Sequence, residues 1–419
     1  MKTSLFLFSL LVGAASLFSQ PGLSNFNSLI FQADSLYQQK EYEKSAIAFS
    51  EAFQLPDAKI TINHRYNAAC SWALANGTDS AFYQLEYVSV YMNYTNYGHL
   101  QSDPDLRSLR SDKRWHPLLE KVLNNKKKAF PTLELIEVNG YQLEIITYGF
   151  ENRQQGKPVI VFENGRGTDF EYWLLIMQEV SKENVTFAYN RPRIGGSEDD
   201  QQLPTIDHIT EVLRQALRAK GLNPPYILVG HSWGGACIRC FASLYPDEMA
   251  GLIFVDPHDF VKNEGGGRLP YRQIGLTEFQ IDSLYAEYDK SADDYMAQGP
   301  KFVVEEMKAQ REFSKTGFAL CSRNPLPDVP VHFILAGGYP LYPEQTASLY
   351  DGKKMFRINN DIKMKSWIEL INPLRFGKFI YCANSGHYIP KDDPEVIVSS
   401  ISMALHDYDI IKKEKETNR

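Results

Sequence analysis

Short apolar runs that alternate with helical stretches set the strongest limit on how this chain can fold. The runs PVIVFENG, VTFAYN, YILVGHS and GLIFVDP are separated by stretches of helical periodicity at residues 170–180, 206–217 and 233–245. This alternation is typical of βαβ units, in which helices cover both faces of a parallel sheet. Later runs, VHFILAGG and FGKFIYCAN, extend the pattern, and LELIEV and YQLEIITYGF precede it as a hairpin split by Asn139-Gly140. The sequence predicts an α/β domain over residues 130–407.

One long insertion interrupts the predicted sheet. Between Val261 and Pro327 the alternation gives way to a charged, aromatic and helical segment. Its position between two strands predicts a lid at about residues 260–327. Six aromatic side chains suit apolar acyl groups or core packing (Tyr271, Phe279, Tyr285, Tyr288, Tyr295, Phe302), and five acids suit a substrate ammonium or a solvated helix face (Glu278, Asp282, Glu287, Asp293, Asp294).

The chain before this domain is helical in pattern. Residues 24–125 carry small and apolar side chains at helical spacing, among them Ala33, Ala46 and Ala69. The arrangement resembles tetratricopeptide repeats, with Ser45 in place of the usual alanine of the first unit. It predicts a small all-α domain that binds a protein partner or serves as a spacer. The lysine-rich segment NNKKKAFP, residues 124–131, is interpreted as the linker.

The first residues have the features of a secretory signal peptide. Lys2 precedes an apolar run from Leu5 to Leu17, and small and polar residues follow. The run is too short to span a bilayer comfortably, so a stable membrane span is not expected. We expect a signal peptide at residues 1–19 and a secreted or periplasmic protein.

Charge and cysteine content exclude some classes of function. The 419 residues carry a formal net charge of −7, which argues against a broad nucleic-acid interface. The five cysteines are an odd number, so at least one is unpaired even in an oxidising compartment. Cys237 and Cys240 have redox or metal spacing, but no second Cys or His pair lies at zinc spacing, and buried thiols are the favoured interpretation.

A serine between glycines is the candidate nucleophile. Gly230-His231-Ser232-Trp233-Gly234 has the spacing G-x-S-x-G after an apolar run and before a helical stretch. The glycines allow a strained strand-to-helix turn that points the serine hydroxyl outward. The motif alone is a weak signal, but this context strengthens it.

A serine hydroxyl needs a base, and the base needs an acid to orient it. His387 follows the last apolar strand and precedes the final helix, so it leaves the sheet at the same edge as Ser232. The turn after VHFILAGG contains no acid before Glu344, whereas GLIFVDP exits directly into Asp256. We predict Asp256 as the acid, with Asp259 and Glu344 as rivals. An Asp before a proline is also a common turn residue.

The oxyanion of an acyl-transfer reaction needs two backbone donors. The amide after the nucleophile, that of Trp233, is one candidate. The early turn ENGRG supplies the other, the amide of Arg166. The Arg166 side chain is free to contact an acidic substrate or to face solvent.

Together these segments resemble the α/β-hydrolase superfamily over residues 130–407. GHSWGG resembles its nucleophile elbow, SGHYIPKDDPE its histidine turn, and ENGRG its oxyanion turn. YNRPRIGGSED resembles the segment D-R-x-G-x-G-x-S, with Asn190 in place of Asp and with Pro192 and Arg193 as departures. The acid at Asp256 is similar to the subset of the superfamily that places its acid one strand earlier.

The resemblance implies a serine hydrolase that forms an acyl-enzyme and needs no metal or organic cofactor. A small-molecule ester is the first expected substrate, and an amide or peptide bond, as in related aminopeptidases, is the alternative. A third possibility of another class is a binding protein with tetratricopeptide-like repeats on an inactive hydrolase scaffold.

Overall fold

The computed structural model describes residues 23–261, 266–299, 301–339 and 349–417. They form two compact units that divide between Pro131 and Thr132. The expected signal peptide, residues 1–19, lies outside the described residues. No helix in the described ranges combines the length and the apolar character needed to cross a membrane.

The first unit is all helical in its described residues. Its helices are α1 Leu23–Gln38, α2 Tyr42–Ala52, α3 Ile62–Leu74, α4 Thr78–Tyr91, α5 Tyr97–Ser102 and α6 Trp115–Ala129, with a 3-10 turn at Pro104–Leu109. Ala33, Ala46 and Ala69 are fully buried, which lets neighbouring helices approach closely.

Ser45 occupies its buried position without an unsatisfied hydroxyl. Its Oγ donates to the carbonyl oxygen of Ala33 at 2.8 Å and lies 2.9 Å from Ser71 Oγ. A buried hydroxyl costs free energy unless it is hydrogen-bonded, and here the contact ties α2 to both α1 and α3.

The interpretation of residues 124–131 as a linker is wrong for most of that segment. Helix α6 continues to Ala129, and Lys126 is fully buried despite its charge. Leu118, Val122 and Asn125 recur at helical spacing on the buried face. The run of lysines concealed this periodicity.

In its described residues, the second unit contains an eight-stranded sheet in the order β1-β2-β4-β3-β5-β6-β7-β8. The strands are β1 Leu133–Val138, β2 Tyr141–Tyr148, β3 Val159–Glu163, β4 Val185–Tyr189, β5 Tyr226–His231, β6 Met249–Val255, β7 Val331–Ala336 and β8 Gly377–Cys382. Strand β2 is antiparallel to β1 and β4, and the strands from β4 to β8 are parallel to their neighbours. The predicted hairpin is confirmed, since Asn139 and Gly140 both have positive φ, as a tight hairpin turn requires.

Helices cover both faces of this sheet. They are α7 Leu174–Val180, α8 Ile206–Ala219, α9 Trp233–Leu244, α10 Leu269–Gln273, α11 Glu278–Gln298, α12 Lys301–Lys315, α13 Gly352–Ile371, α14 Ile389–Asp392 and α15 Pro394–Thr417. Strands β3 to β7 are buried along their whole length, as expected when both faces are covered. Helices α10 to α12 form the insertion expected between β6 and β7.

Candidate active site

Ser232 lies in a strained turn between β5 and α9. Its φ is 53° and its ψ is −118°, a conformation that costs an L-residue energy and persists only where the surroundings enforce it. The Ser232 amide donates to the Val255 carbonyl at 3.1 Å, and its carbonyl accepts from the amides of Gly235 at 2.9 Å and His258 at 2.8 Å. The end of β6 therefore holds the turn from one side.

Gly234 makes this turn possible. A Cβ atom there would lie 2.4 Å from the carbonyl oxygen of Glu163 and 2.6 Å from that of Asn164. These are backbone atoms at the end of β3 and in the turn after it, and they cannot rotate away. The missing side chain lets the first turn of α9 pack directly against the ENGRG segment.

Asp256 and His387 come together although they follow different strands. Asp256 Oδ2 lies 2.5 Å from His387 Nδ1. The Asp256 amide donates to Ile334 at 2.7 Å, and its Oδ1 accepts from the Ala336 amide at 3.3 Å. Burial acts to raise the pKa of Asp256, but the hydrogen bond from His387 and the charge of Lys363 outweigh it, and the pKa lies below its usual value. A buried carboxylate that stays ionised suits the orientation of an imidazole.

The two rival acids have different positions. Asp259 accepts the Val261 amide at 3.0 Å through its Oδ1, so this carboxylate shapes a local turn. Glu344 lies outside the described residues.

His231 has a structural part in the site that its sequence position did not reveal. Its Nε2–H donates to the carbonyl oxygen of His387 at 2.8 Å, and the two ring centroids lie 4.7 Å apart. Burial, with the neighbouring charge of His387, lowers the pKa of His231 to about 3. The neutral ring thus fastens the His387 turn to the end of β5.

The turn after β3 presents a backbone amide near α9. The Gly165 amide donates to the Tyr172 hydroxyl at 2.8 Å, and the Gly167 amide donates to Glu306 Oε2 at 2.6 Å. Within the described ranges, the intervening Arg166 amide has no hydrogen-bond partner. The same holds among those residues for the amide of Trp233, the first residue of α9, where helix geometry leaves an N–H free.

A buried charge network lies beneath this turn, and sequence reasoning missed it. Arg191 Nη1 donates to Glu163 Oε1 at 2.9 Å, and Arg191 Nε lies 2.7 Å from Glu306 Oε1. Burial raises the pKa of Glu163 to about 7, against the lowering effects of Arg191 and the Tyr189 hydroxyl, and the Glu306 carboxylate adds to the increase. The one signal in the sequence was an acid at the exit of an otherwise apolar strand, in FENG.

Among the residues that the structure describes, one group of side chains has metal-ligand chemistry, and it lies in the first unit. Ligand atoms of Cys70, Asp103 and Asp105 lie within 4.8 Å of one another. Asp103 Oδ1 accepts the Asp105 amide at 3.0 Å, which caps the 3-10 turn. These contacts account for the cluster as part of the helical fold.

The sheet explains why the candidate residues of the second unit converge. His231 pairs with Val255 across β5 and β6, and Ala336 pairs with Cys382 across β7 and β8. Ser232, Asp256 and the His387 turn therefore leave the carboxyl edge of neighbouring parallel strands, the usual place for active groups in such sheets. The strand order, the strained serine turn and the helices on both faces of the sheet together define the fold.

The chain has the α/β-hydrolase fold. A family model described as the alpha/beta hydrolase fold matches residues 158–273, so the resemblance seen in the sequence motifs is confirmed. The uncharacterised protein YqjL of Bacillus subtilis (strain 168) is 30% identical over 162 residues, which are 37% of this chain and 62% of that protein. A proline iminopeptidase of Heyndrickxia coagulans is 31% identical over 110 residues, 26% of this chain and 38% of that enzyme.

The matched segment spans less than two thirds of each of these two curated relatives. Among solved structures, an alpha/beta hydrolase fold protein from Burkholderia ambifaria is 16% identical with a TM-score of 0.42, covering 64% of this chain and 96% of that one.

Two of the departures from the superfamily pattern, Asn190 and Arg193, have local roles in the structure. Asn190 accepts the Phe170 amide at 2.9 Å and donates to Glu144 Oε2 at 2.6 Å, so its amide bridges two segments with a donor and an acceptor. Arg193 has a positive φ of 71°, and its Nε donates to Asp199 Oδ1 at 2.6 Å. The loop after β4 is therefore held by side-chain bonds.

Proposed function

We propose that this α/β hydrolase is a serine hydrolase in which Ser232, His387 and Asp256 form the catalytic triad. The observation that carries the proposal is the 2.5 Å contact between Asp256 Oδ2 and His387 Nδ1, at the sheet edge where Ser232 occupies its strained turn. A histidine held through Nδ1 leaves Nε2 to take the serine proton.

The reaction proceeds through an acyl-enzyme. His387 removes the proton of Ser232, whose Oγ attacks the carbonyl carbon of the substrate, and the amides of Arg166 and Trp233 stabilise the oxyanion. His387 then gives its proton to the leaving group. A water molecule activated by His387 attacks the acyl-enzyme, releases the acid product and restores Ser232.

A small-molecule carboxylic ester is the proposed substrate. An aminopeptidase would need free acids to bind a substrate ammonium, and several lid acids are already paired within the lid. Arg268 contacts Glu278 and Asp282, and Arg311 contacts Asp293. Amide or peptide cleavage remains the second candidate, favoured by the similarity to a proline iminopeptidase.

We also propose that the chain is exported, and that its helical unit binds a protein partner or serves as a spacer. The charged end, short apolar run and small-residue exit of residues 1–19 support export. N-terminal sequencing of the protein isolated from its source tests this, because a signal peptide predicts a mature chain that starts after residue 19.

A fluorophosphonate probe followed by an ester panel tests the catalytic proposal. We expect the folded chain to be labelled at Ser232, and the Ser232→Ala variant to remain unlabelled. A panel of p-nitrophenyl esters of graded chain length, run beside aminoacyl amides, then identifies the substrate class. A folded wild-type protein that resists the probe would mean that the hydrolase fold serves here as a binding scaffold.

A further inference from the structure

The lid helix α12 holds the oxyanion turn through one buried carboxylate. Glu306 Oε2 accepts the amide of Gly167 at 2.6 Å, and Glu306 Oε1 lies 2.7 Å from Arg191 Nε. The Glu306 side chain is only 2% exposed. A charged side chain on a lid thus reaches into the interior and binds the backbone of the turn itself.

Arg191 binds further backbone atoms of the same turn. It donates to the carbonyl oxygen of Asn164 at 3.1 Å and also to that of Gly165. Glu163 at the end of β3 accepts a further Arg191 hydrogen bond at 2.9 Å. The peptide groups on both sides of Arg166 are therefore oriented by the Arg191 and Glu306 pair.

Two more contacts come from the same face of α12. Arg166 Nη1 donates to Gln310 Oε1 at 2.5 Å, and Val303 lies against Gly167, where an added Cβ would meet Val303 Cγ2 at 2.9 Å. Val303, Glu306 and Gln310 have the spacing of one helix face. One face of α12 thus contacts the turn through an apolar side chain, a carboxylate and an amide.

We infer that Glu306 is a positioning residue that sets the Arg166 amide for oxyanion binding, so that the oxyanion site forms only while α12 is seated on the turn. The inference rests on the proposed serine hydrolase function. Glu306 acts through Gly167 and Arg191 and does not touch the reacting atoms. An oxyanion donor contributes only when it points at the position that the oxygen will occupy.

The charges of the network allow a positioning role of Glu306 to be distinguished from a role in stability. Arg191 offsets one negative charge, while Glu163 and Glu306 together supply two acidic groups. Glu306→Gln leaves Glu163 beside Arg191 and removes the Glu306 carboxylate, which helps to raise the pKa of Glu163. Glu163 then ionises more readily and still balances the buried charge of Arg191. Loss of a sole partner is the usual reason that breaking a buried ion pair unfolds a protein. Turnover should fall in this variant without a comparable fall in stability.

The experiment compares Glu306→Gln with Glu312→Gln in the full chain. Glu312 lies on the same helix, is exposed and pairs with Lys315, so it is the matched control. The measurements are the rate constant for labelling of Ser232 by a fluorophosphonate, kcat and KM for an ester that the wild type hydrolyses, and Tm. We expect Glu306→Gln to lower the labelling rate and kcat by about 10- to 100-fold, with KM within threefold and Tm within a few degrees, and Glu312→Gln to match the wild type.

Each outcome decides between defined alternatives. A folded Glu306→Gln variant that is labelled at the wild-type rate overturns the inference and leaves the proposed function intact. A wild type that is not labelled overturns the proposed function. If Glu306→Gln does not fold, Glu306→Asp keeps the charge but shortens the reach, and the same loss is expected; wild-type rates in that variant overturn the inference.

We also propose, from an independent observation, that Cys240 and Cys321 form a disulfide. Cys240 lies on α9, the helix that begins after Ser232, and Cys321 lies near the end of the lid insertion, after α12. Their Sγ atoms lie 2.8 Å apart, and both side chains are buried. Bond formation needs an approach of less than 1 Å, since a disulfide is about 2.05 Å long.

The bond would join the helix behind the nucleophile to the end of the lid insertion. Its oxidant is another disulfide: both cysteines lose their protons, the new S–S bond forms, and the oxidant's bond takes up the two electrons and leaves as two thiols. Burial and the neighbouring Cys321 raise the pKa of Cys240. The folded Cys240 thiol is therefore a poor nucleophile.

Counting free thiols tests this proposal. The full chain, produced in the periplasm of an expression host, is denatured in N-ethylmaleimide, and its mass is measured by mass spectrometry. We expect alkylation of about three of the five cysteines and a peptide that links Cys240 to Cys321. Cys237→Ser, one helical turn away, should keep the link, and Cys321→Ser should lose it with a lower Tm. Alkylation of all five, or a link elsewhere, overturns the proposal.

Discussion

Asp256 Oδ2 and His387 Nδ1 lie 2.5 Å apart although 131 positions separate the two residues in the sequence. The carboxylate is 9% exposed and the imidazole 48%, so a buried carboxylate holds an imidazole that is open to solvent. The acid lies at the end of β6, one strand before the position where the superfamily more often has it. The contact shows that an acid on β6 reaches the histidine after β8 when β7 lies between them and ends at the same edge.

Replacing Asp256 with Asn should lower kcat by about 10³- to 10⁴-fold with little change in Tm, because the amide favours the wrong imidazole tautomer. Steady-state kinetics and thermal melts check this. Asp259→Asn is the matched control and should keep near wild-type turnover, since Asp259 shapes a local turn. Near-normal activity of the Asp256 variant would exclude this residue as the triad acid.

His231 should influence the rate without contributing an ionisation. Its pKa of about 3 keeps the ring neutral, and its Nε2–H holds the His387 carbonyl. His231→Leu removes this donor and should lower kcat about 10-fold, the equivalent of one hydrogen bond. The pH dependence of kcat between pH 5 and 9 should keep its shape. A limb that disappears in the variant would contradict a neutral His231.

Glu163 should make folding less favourable as pH rises. Its pKa is raised to about 7 in the folded chain, so between about pH 4.5 and 7 the folded state holds a proton that the unfolded state has released. The unfolding free energy then falls with increasing pH through this window, by on the order of 1–3 kcal/mol in total. Glu163→Gln should remove this slope.

Urea denaturation of the wild type and of Glu163→Gln at pH 5 and pH 8 measures the effect, as the difference between their free energies of unfolding. The difference is needed because burial lowers the pKa of His231 to about 3 and those of His258 and His332 to about 4. These histidines make stability fall as pH decreases, which is the opposite sense. Relative to wild type, Glu163→Gln should gain stability between pH 5 and pH 8; an unchanged difference would mean that Glu163 stays ionised.

Gly234→Ala should damage both stability and catalysis. The added Cβ would lie 2.4 Å from the Glu163 carbonyl oxygen, so the oxyanion turn must move away from α9. Overpacking of this kind costs about 1–3 kcal/mol, and we expect a fall in kcat/KM of about 10-fold or more. Gly140→Ala is the comparison, since Gly140 has a φ of 86° and open space around it. It should lower Tm but leave kcat/KM per folded molecule unchanged.

Much of the fold was predictable because its signals are local. The alternation of apolar runs and helical stretches placed β3 to β8 in order, and Asn139-Gly140 marked the hairpin before them. The linker interpretation was wrong at α6, because the lysines of residues 124–131 were given more weight than the helical periodicity of the buried side chains. Helix α13 between β7 and β8 was not predicted.

The candidate site likewise has a part that local sequence signals predicted and a part that they did not. The candidates Ser232 and His387 were predicted from motif spacing and strand exits, which depend on a few neighbouring residues. The choice of Asp256 over its rivals needed distances, because several acids follow strands at the same edge. The buried Glu163–Arg191–Glu306 network had almost no sequence signal, since its members lie on β3, on the loop after β4 and on a lid helix.

The sequence by itself determined which segments form strands, where most of the helices lie between them, the serine turn and the histidine that follows the last strand. These follow from local periodicity, from glycines at close approaches and from the rule that parallel strands end at one edge. Only the tertiary structure decided which carboxylate meets His387, which amides near Ser232 have no partner among the described residues, and which lid side chain reaches the oxyanion turn. Such contacts join residues far apart in the chain, and their partners are selected by strand order and by helix packing, neither of which any short segment encodes.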